Sequence, residues 1–294
     1  MAKLLSGKEV CESLNEKLIA RTAVLAQKGI TPTLAIIRVG QDPSDISYEK
    51  GAAKRAQMLG VKIVYFVLNG DCRKEELLEI IDRINGDEKI HGCLLLRPLP
   101  KSLQPFSDEI CNRLDAKKDV DSMTSLSNAG VYEGRTDLGF PPCTAQACIE
   151  ILDYYGYDYC GKRATVMGRS LVVGRPVGLM LQQRNCTVTT IHTRTKDPMA
   201  YLPWSDLIIC AAGALNCVTG DMVRPGQWVI DVSMNYDPEK ITPSGKGGMA
   251  GDCDFTSVEP VVEAITPVPG GVGAVTTSVL MKHVILAAER TGDL

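Results

Sequence analysis

Residues 7–28 carry apolar side chains at mostly three- and four-residue steps (Val10, Leu14, Leu18, Val24, Leu25), which predicts an amphipathic helix ended by Gly29. A short apolar run, Thr33–Val39, follows and stops at Gly40, as a buried parallel strand would. The alternation continues with a helix over 44–59, a strand over 61–67, a helix over 75–85 and a third apolar strand, Gly92–Leu96, ending at Arg97-Pro98. Pro141-Pro142 breaks the chain, and Thr144 has the character of an N-cap for a helix through Tyr155. Beyond it the pattern predicts strands over 164–167, 187–191, 207–211 and 228–232, a helix over 173–184, and a last helix over 277–290. The stretch 242–251 reads as a loop. Strands alternating with helices imply right-handed crossovers and parallel sheets, so the expected class is α/β, with two parallel-sheet domains.

At 294 residues the chain has room for two domains, each with its own core. Hydrophobic residues make up 45% and the formal net charge is −3, which gives no general attraction to nucleic acid or to an anionic membrane. No apolar run reaches the roughly 20 residues that span a bilayer, and the first residues are too polar for a secretory signal; a cytoplasmic protein is expected. The eleven cysteines are scattered without a Cys-x-x-Cys pair, which suits reduced thiols in a core. His91, His192 and His283 lie far apart, so no metal site is expected.

Gly168–Gly174 joins a strand to a helix, the place where open α/β sheets bind ligands and where helix N–H groups can meet a pyrophosphate. Ser170 stands where a dinucleotide fingerprint would have its second glycine, so alone the turn is a weak signal. The next strand ends in Ile191-His-Thr-Arg-Thr-Lys196, without the carboxylate that holds the ribose of NAD. With Arg169, this edge suits a 2′-phosphate, pointing to NADP; the bland alternative is a solvated basic edge.

Two further segments complete a pattern. Ile265–Gly273 packs two prolines and three glycines before Ala274 into an uncharged run, and Lys118-Asp-Val-Asp121 is a compact acidic motif. With the Gly168–Pro176 turn, in this order, they resemble the methylenetetrahydrofolate dehydrogenase/cyclohydrolase family of the FolD type, and the resemblance runs essentially end to end. It implies a folate-binding catalytic domain (1–141 with 277–294), a Rossmann-like NADP domain (142–276), a cleft bridged by the helices near 144–155 and 277–290, and a homodimer. It implies tetrahydrofolate derivatives as substrates, in one-carbon metabolism. Cofactor contacts would come from Gly168, Arg169, Ser170, Gly174, Arg175, Pro176, His192, Thr193 and Arg194. Tyr48 and Asp121 would be catalytic and, with Pro269, Gly270, Gly271 and Val272, would bind substrate, Asp121 through the amino-pyrimidine face of the pterin.

The family's catalytic helix carries a Lys four residues after the Tyr, and its strand ends in Gln-Leu-Pro-Leu-Pro. Here those positions hold Ala52 and Leu96, while Lys50 and Lys54 lie off the Tyr48 face and Arg55 shares it. Ser122 replaces the usual glycine after the acidic motif. The residues therefore leave open an NADP-dependent dehydrogenase with cyclohydrolase activity absent or moved to other groups, a bifunctional enzyme using Tyr48 with Arg55 or Arg97, a silent folate-binding paralogue, and a changed substrate.

Overall fold

The computed structural model describes residues 1–240 and 247–292. In chain order come β1 (Lys3–Leu4), α1 (Gly7–Gln27), β2 (Thr33–Val39), α2 (Pro43–Met58), β3 (Lys62–Leu68), α3 (Lys74–Gly86), β4 (Gly92–Leu95), α4 (Ser107–Arg113), α5 (Ser125–Glu133) and α6 (Cys143–Tyr154). They are followed by β5 (Arg163–Met167), α7 (Gly174–Gln182), β6 (Thr187–Ile191), β7 (Leu207–Cys210), β8 (Trp228–Asp231), β9 (Asn235–Asp237), β10 (Gly248–Ala250), α8 (Phe255–Val258), β11 (Ala264–Ile265) and α9 (Val272–Gly292). Two compact units divide the chain, one made of Ser13–Cys143 with Thr277–Leu294, the other of Met1–Glu12 with Thr144–Thr276.

In the first unit β3, β2 and β4 form a parallel sheet in that order, with Thr33 opposite Lys62 and Leu34 opposite Gly92. The chain goes from β2 to β3 on one side, then back to β4 on the other, so the switch point lies between β2 and β4. β2 and β4 are buried throughout, and Ile37, Leu77, Ile81 and Leu95 belong to one apolar cluster. Apolar burial of this kind contributes about 25 cal/mol per Å².

In the second unit six parallel strands run in the order β1-β11-β8-β7-β5-β6, with its switch point between β5 and β7. By contacts residues 1–12, expected in the folate-binding domain, group with this second unit, since Lys3 and Leu4 pair with Ala264 and Ile265 at the sheet edge. Gly248–Ala250 was also expected to be loop; it is a strand, antiparallel to β9. Residues 242–246 of the same expected loop lie outside the described residues.

Helix α6 starts one residue earlier than its expected cap, so Thr144 sits within its first turn. Among the described residues one helical segment, Val272–Thr291, is long and apolar enough to span a bilayer by length and composition alone; 61% of its apolar window is buried inside the protein, as in a core helix. Among the described residues no disulfide forms, and every cysteine except Cys160 and Cys217 is buried.

Candidate active site

In the first unit α2 leaves the C-terminal end of β2 and carries Tyr48. Asp42 opens the helix by accepting the Ser44 N–H at 2.8 Å, with Pro43 in the first turn, where a missing N–H costs nothing. The buried Arg38 of β2 fastens the helix from the sheet side. Its Nε donates to Glu49 at 3.0 Å, and its Nη1 donates to the Gly40 carbonyl and to Gln41.

Asp119 makes a parallel bridge with Cys93, so residues 119–121 run beside β4 toward its C-terminal end. The fully buried Asp119 carboxylate accepts the amides of Met123 and Thr124 at 3.0 and 2.8 Å and folds the turn. That turn puts Ser122 at φ +54°, the left-handed region, which explains why a glycine suits this position.

Asp121, half-buried, accepts the Cys143 amide at 2.9 Å through Oδ1. Burial raises its carboxyl above the ordinary range, while the Cys143 hydrogen bonds and the charge of Arg97 pull it down. Tyr48 is half-buried, and burial, with the neighbouring Cys143 and Asp121, holds its phenol well above its usual value; it stays a neutral hydroxyl, a donor. Tyr48, Cys143 and the exposed Arg97 thus each lie within electrostatic reach of Asp121 at the switch point of this sheet. Ala52 is fully buried and Leu96 is buried; neither offers a polar atom. Lys50 and Lys54 are exposed, and Arg55 is half-buried.

Cys143 and His283 were not anticipated in this neighbourhood. The Cys143 thiol donates to the Val120 carbonyl and lies 3.7 Å from His283 Nδ1; His283 Nδ1 is 2.9 Å from the same carbonyl, and its ring stacks on Phe140. Burial and Asp121 push the thiol well above its ordinary value, so it remains protonated. Separations of up to 163 residues leave no local signal for such pairings.

In the second unit the turn after β5 lies at the switch point. Gly168 has φ +109°, and a Cβ there would sit 2.1 Å from the carbonyl oxygen of Ala211 just past β7. Only glycine allows the two strand ends to close on each other. Ser170 takes a positive role where a glycine was missed: its Oγ accepts the amides of Val173 and Gly174 at 3.1 and 3.4 Å and organises the start of α7. Arg175 Nε donates to the Arg169 carbonyl, and Pro176 is buried in the first turn of the helix.

The Gly168 amide donates to the Ile191 carbonyl at 2.8 Å, so the segment carrying Arg169 and the one carrying His192, Thr193 and Arg194 leave adjoining strand ends. That second segment is a tight turn, in which His192 N donates to Thr195 Oγ1 and Arg194 N to His192 Nδ1. Arg169, Thr193 and Arg194 are exposed.

The loop after β7 is held by a carboxylate that sequence reasoning did not single out. Asp252, fully buried, accepts the successive amides of Ala212, Gly213 and Ala214 as well as Ser233 Oγ and Asn235 Nδ2. Asp231, at the end of β8, accepts the amides of Asp252 and Cys253 at 3.0 and 2.9 Å. Burial and Asp252 raise the Asp231 carboxyl to about 6 against those hydrogen bonds. Thr266 Oγ1 accepts the Asp231 amide and ties in the Pro267–Gly271 loop. Gly271 has Pro267 O at 2.7 Å from any added Cβ. Gly271 and Val272 are buried, whereas Pro269 and Gly270 are exposed.

Comparison with known proteins agrees with this two-part construction. Residues 5–121 match the catalytic domain of tetrahydrofolate dehydrogenase/cyclohydrolase, and residues 142–292 match the NAD(P)-binding domain of the same family. The bifunctional protein FolD of Carboxydothermus hydrogenoformans is 44% identical over 289 residues, 98% of each chain. The crystal structure of the bifunctional FolD of Campylobacter jejuni superposes with a TM-score of 0.92 at 36% identity, over 99% of this chain and 100% of that one. That of Trypanosoma brucei FolD, complexed with NADP and an inhibitor, superposes at 0.91 with 29% identity, over 100% and 99%. The glycine-bound turn at one switch point, the Tyr48–Asp121 set at the other and these matches along nearly the whole sequence lead to one conclusion: this chain belongs to the tetrahydrofolate dehydrogenase/cyclohydrolase family, enzymes that join a catalytic domain to an NAD(P)-binding domain.

Proposed function

We propose that the chain is an NADP-dependent methylenetetrahydrofolate dehydrogenase of one-carbon metabolism whose cyclohydrolase step is slow relative to hydride transfer. The observation that carries this reading is the pair of apolar, buried residues Ala52 and Leu96 at the positions where the family resemblance implies Lys and Gln. Removing a hydride from the methylene carbon leaves a cation stabilised by two nitrogens, and it calls mainly for positioning. The nicotinamide of the bound cofactor supplies the hydride acceptor. The Gly168 turn, with Ser170 and the α7 N-terminus, fits a pyrophosphate, and Arg169 with Thr193 and Arg194 would hold the 2′-phosphate. Asp121 would accept paired N–H donors of the pterin through the carboxylate edge that does not cap Cys143, and the neutral Tyr48 hydroxyl would donate to the folate.

Hydrolysis of the methenyl cation is more demanding, because water must lose a proton while a ring nitrogen gains one. A guanidinium offers N–H donors and no acceptor, so neither Arg55 nor Arg97 supplies a base. Tyr48, held neutral by burial, is a donor and a poor base. The bifunctional alternative would therefore need Asp121 itself, already committed to Cys143, to move the proton. The same reading makes the enzyme cytoplasmic and a homodimer, the latter checked by sedimentation.

The test follows both steps on the purified protein with methylenetetrahydrofolate and NADP. The methenyl compound should accumulate, since loss of an acid–base relay typically costs about 10²–10⁴-fold. Ala52→Lys with Leu96→Gln should speed hydrolysis without a matching gain in hydride transfer. Hydrolysis by the unmodified protein as fast as oxidation would overturn the slow-cyclohydrolase reading, and absence of folate binding would overturn the enzyme reading.

A further inference from the structure

At the switch point of the second unit's sheet, residues 212–214 form a loop that leaves β7 beside the Gly168 turn leaving β5. Open α/β sheets take their ligands at such a place, so loop and turn are two sides of the dinucleotide crevice. Ala212, Gly213 and Ala214 carry nothing larger than a methyl group, and Gly213 is left-handed at φ +68°. No side chain of its own holds this loop.

Asp252 does. Five donors converge on its fully buried carboxylate. Oδ2 accepts the amides of Ala212 and Gly213 at 2.6 and 3.2 Å and the Ser233 hydroxyl at 2.8 Å. Oδ1 accepts the Ala214 amide at 2.8 Å and Asn235 Nδ2 at 3.1 Å. Ser233 Oγ in turn accepts the Gly213 amide at 3.1 Å. Ser233 and Asn235 follow β8, so one carboxylate fastens the segments that leave two neighbouring strands. Asp252 is itself fixed on both sides. Its amide donates to Asp231 Oδ1 and its carbonyl accepts the Val218 amide, both at 3.0 Å. A Cβ on the preceding Gly251 would sit 1.9 Å from Asp231 Oδ2.

A carboxylate in a dry interior is costly unless donors surround it, and no cation pairs with Asp252 among the described residues. What these bonds stabilise is not core packing, because residues 212–216 are all exposed. Three successive amides aimed at one acceptor also make an anion-binding nest. Asp252 already fills it, which directs a cofactor phosphate to the Gly168 turn instead.

We propose that Asp252 is a positioning residue for hydride transfer: it sets loop 212–214 in its cofactor-binding shape before the dinucleotide arrives, without touching the dinucleotide. The proposal rests on the dehydrogenase reading above. A wall ordered in advance spares the cofactor the entropy of ordering it, and that gain is the same for NAD and NADP.

Amide hydrogen exchange followed by NMR on the unliganded protein should show Ala212, Gly213 and Ala214 protected at least about a hundredfold. Asp252→Asn keeps one acceptor oxygen but turns an amino group toward the remaining donors. In that variant the protection should be lost, and it should return at saturating NADPH. NADPH and NADH, titrated by their fluorescence, should each bind at least about tenfold more weakly, while folate affinity measured without cofactor stays within about twofold. Ser233→Ala with Asn235→Ala removes two of the five donors, leaves the loop amides bonded and should weaken both dinucleotides about threefold; it carries the test where Asp252→Asn does not fold. Unprotected loop amides in the unmodified protein, a loss confined to NADPH, or lowered urea stability with dinucleotide binding intact overturns the role of Asp252 alone. An unmodified protein that binds neither dinucleotide overturns the dehydrogenase reading itself.

Discussion

Ser122 is a residue at odds with its place. It adopts φ +54°, and its buried hydroxyl finds no hydrogen-bond partner among the described residues. The left-handed conformation costs a residue with a Cβ roughly 1–2 kcal/mol, and an unsatisfied buried hydroxyl adds to that. Ser122→Gly removes both penalties at the expense of a more flexible unfolded chain, and should stabilise the protein by about 1 kcal/mol. Urea denaturation checks it; unchanged or lower stability would mean that the turn tolerates the serine without strain. Asp119, which folds this turn, and Asp121, which caps Cys143, show that the acidic motif has a structural half and a half able to meet a ligand. Sequence supplied the motif but could not divide its roles, because the division depends on Met123, Thr124 and Cys143 lying at particular carboxylate oxygens.

At the scale of elements, the long helices and the four- to seven-residue strands were legible, since their periodicity or apolar runs reflect one buried face or full burial. The two-residue strands β1 and β11, the β9–β10 pair and the short helices α4 and α5 were not, because so few residues carry no period and their pairing is set from a distance. The Gly168 turn was read correctly as a strand-to-helix junction. Its rigid neighbour, the Ala212–Ala214 loop held by Asp252, was invisible, since the carboxylate sits about forty residues away in sequence.

This buried acid pair has a consequence for stability. Asp231 titrates near 6 in the folded chain against 3.8 for the free group. Between those values the folded state binds more protons than the unfolded one, so this group makes stability fall as pH rises from about 4 to 6, by roughly 2–3 kcal/mol in total. Asp231→Asn should flatten that part of the wild-type pH profile, measured as the difference between the two proteins in chemical denaturation at pH 4.5 and 7. Parallel profiles would mean that Asp231 carries no abnormal titration.

For the whole molecule, the division into two compact units says how ligand binding should respond to substitution. Asp121 belongs to one unit and Arg169 to the other, each among residues of its own unit. Asp121→Asn keeps an oxygen for the Cys143 amide but turns the other acceptor into a donor facing the pterin's N–H groups. Folate affinity should then drop about tenfold or more, with NADP affinity, measured without folate, left within about twofold. Arg169→Ala should do the reverse, weakening NADP about tenfold while barely changing NAD, because only the phosphate-bearing cofactor loses a charge-assisted bond. In the double variant the losses should add to within about 0.5 kcal/mol when each ligand is titrated alone. An Asp121→Asn protein with unchanged folate affinity would reduce that carboxylate to its role at Cys143. Equal losses of NAD and NADP on Arg169→Ala would remove the phosphate from the cofactor assignment, and a large departure from additivity would mean that the two units fold or bind as one.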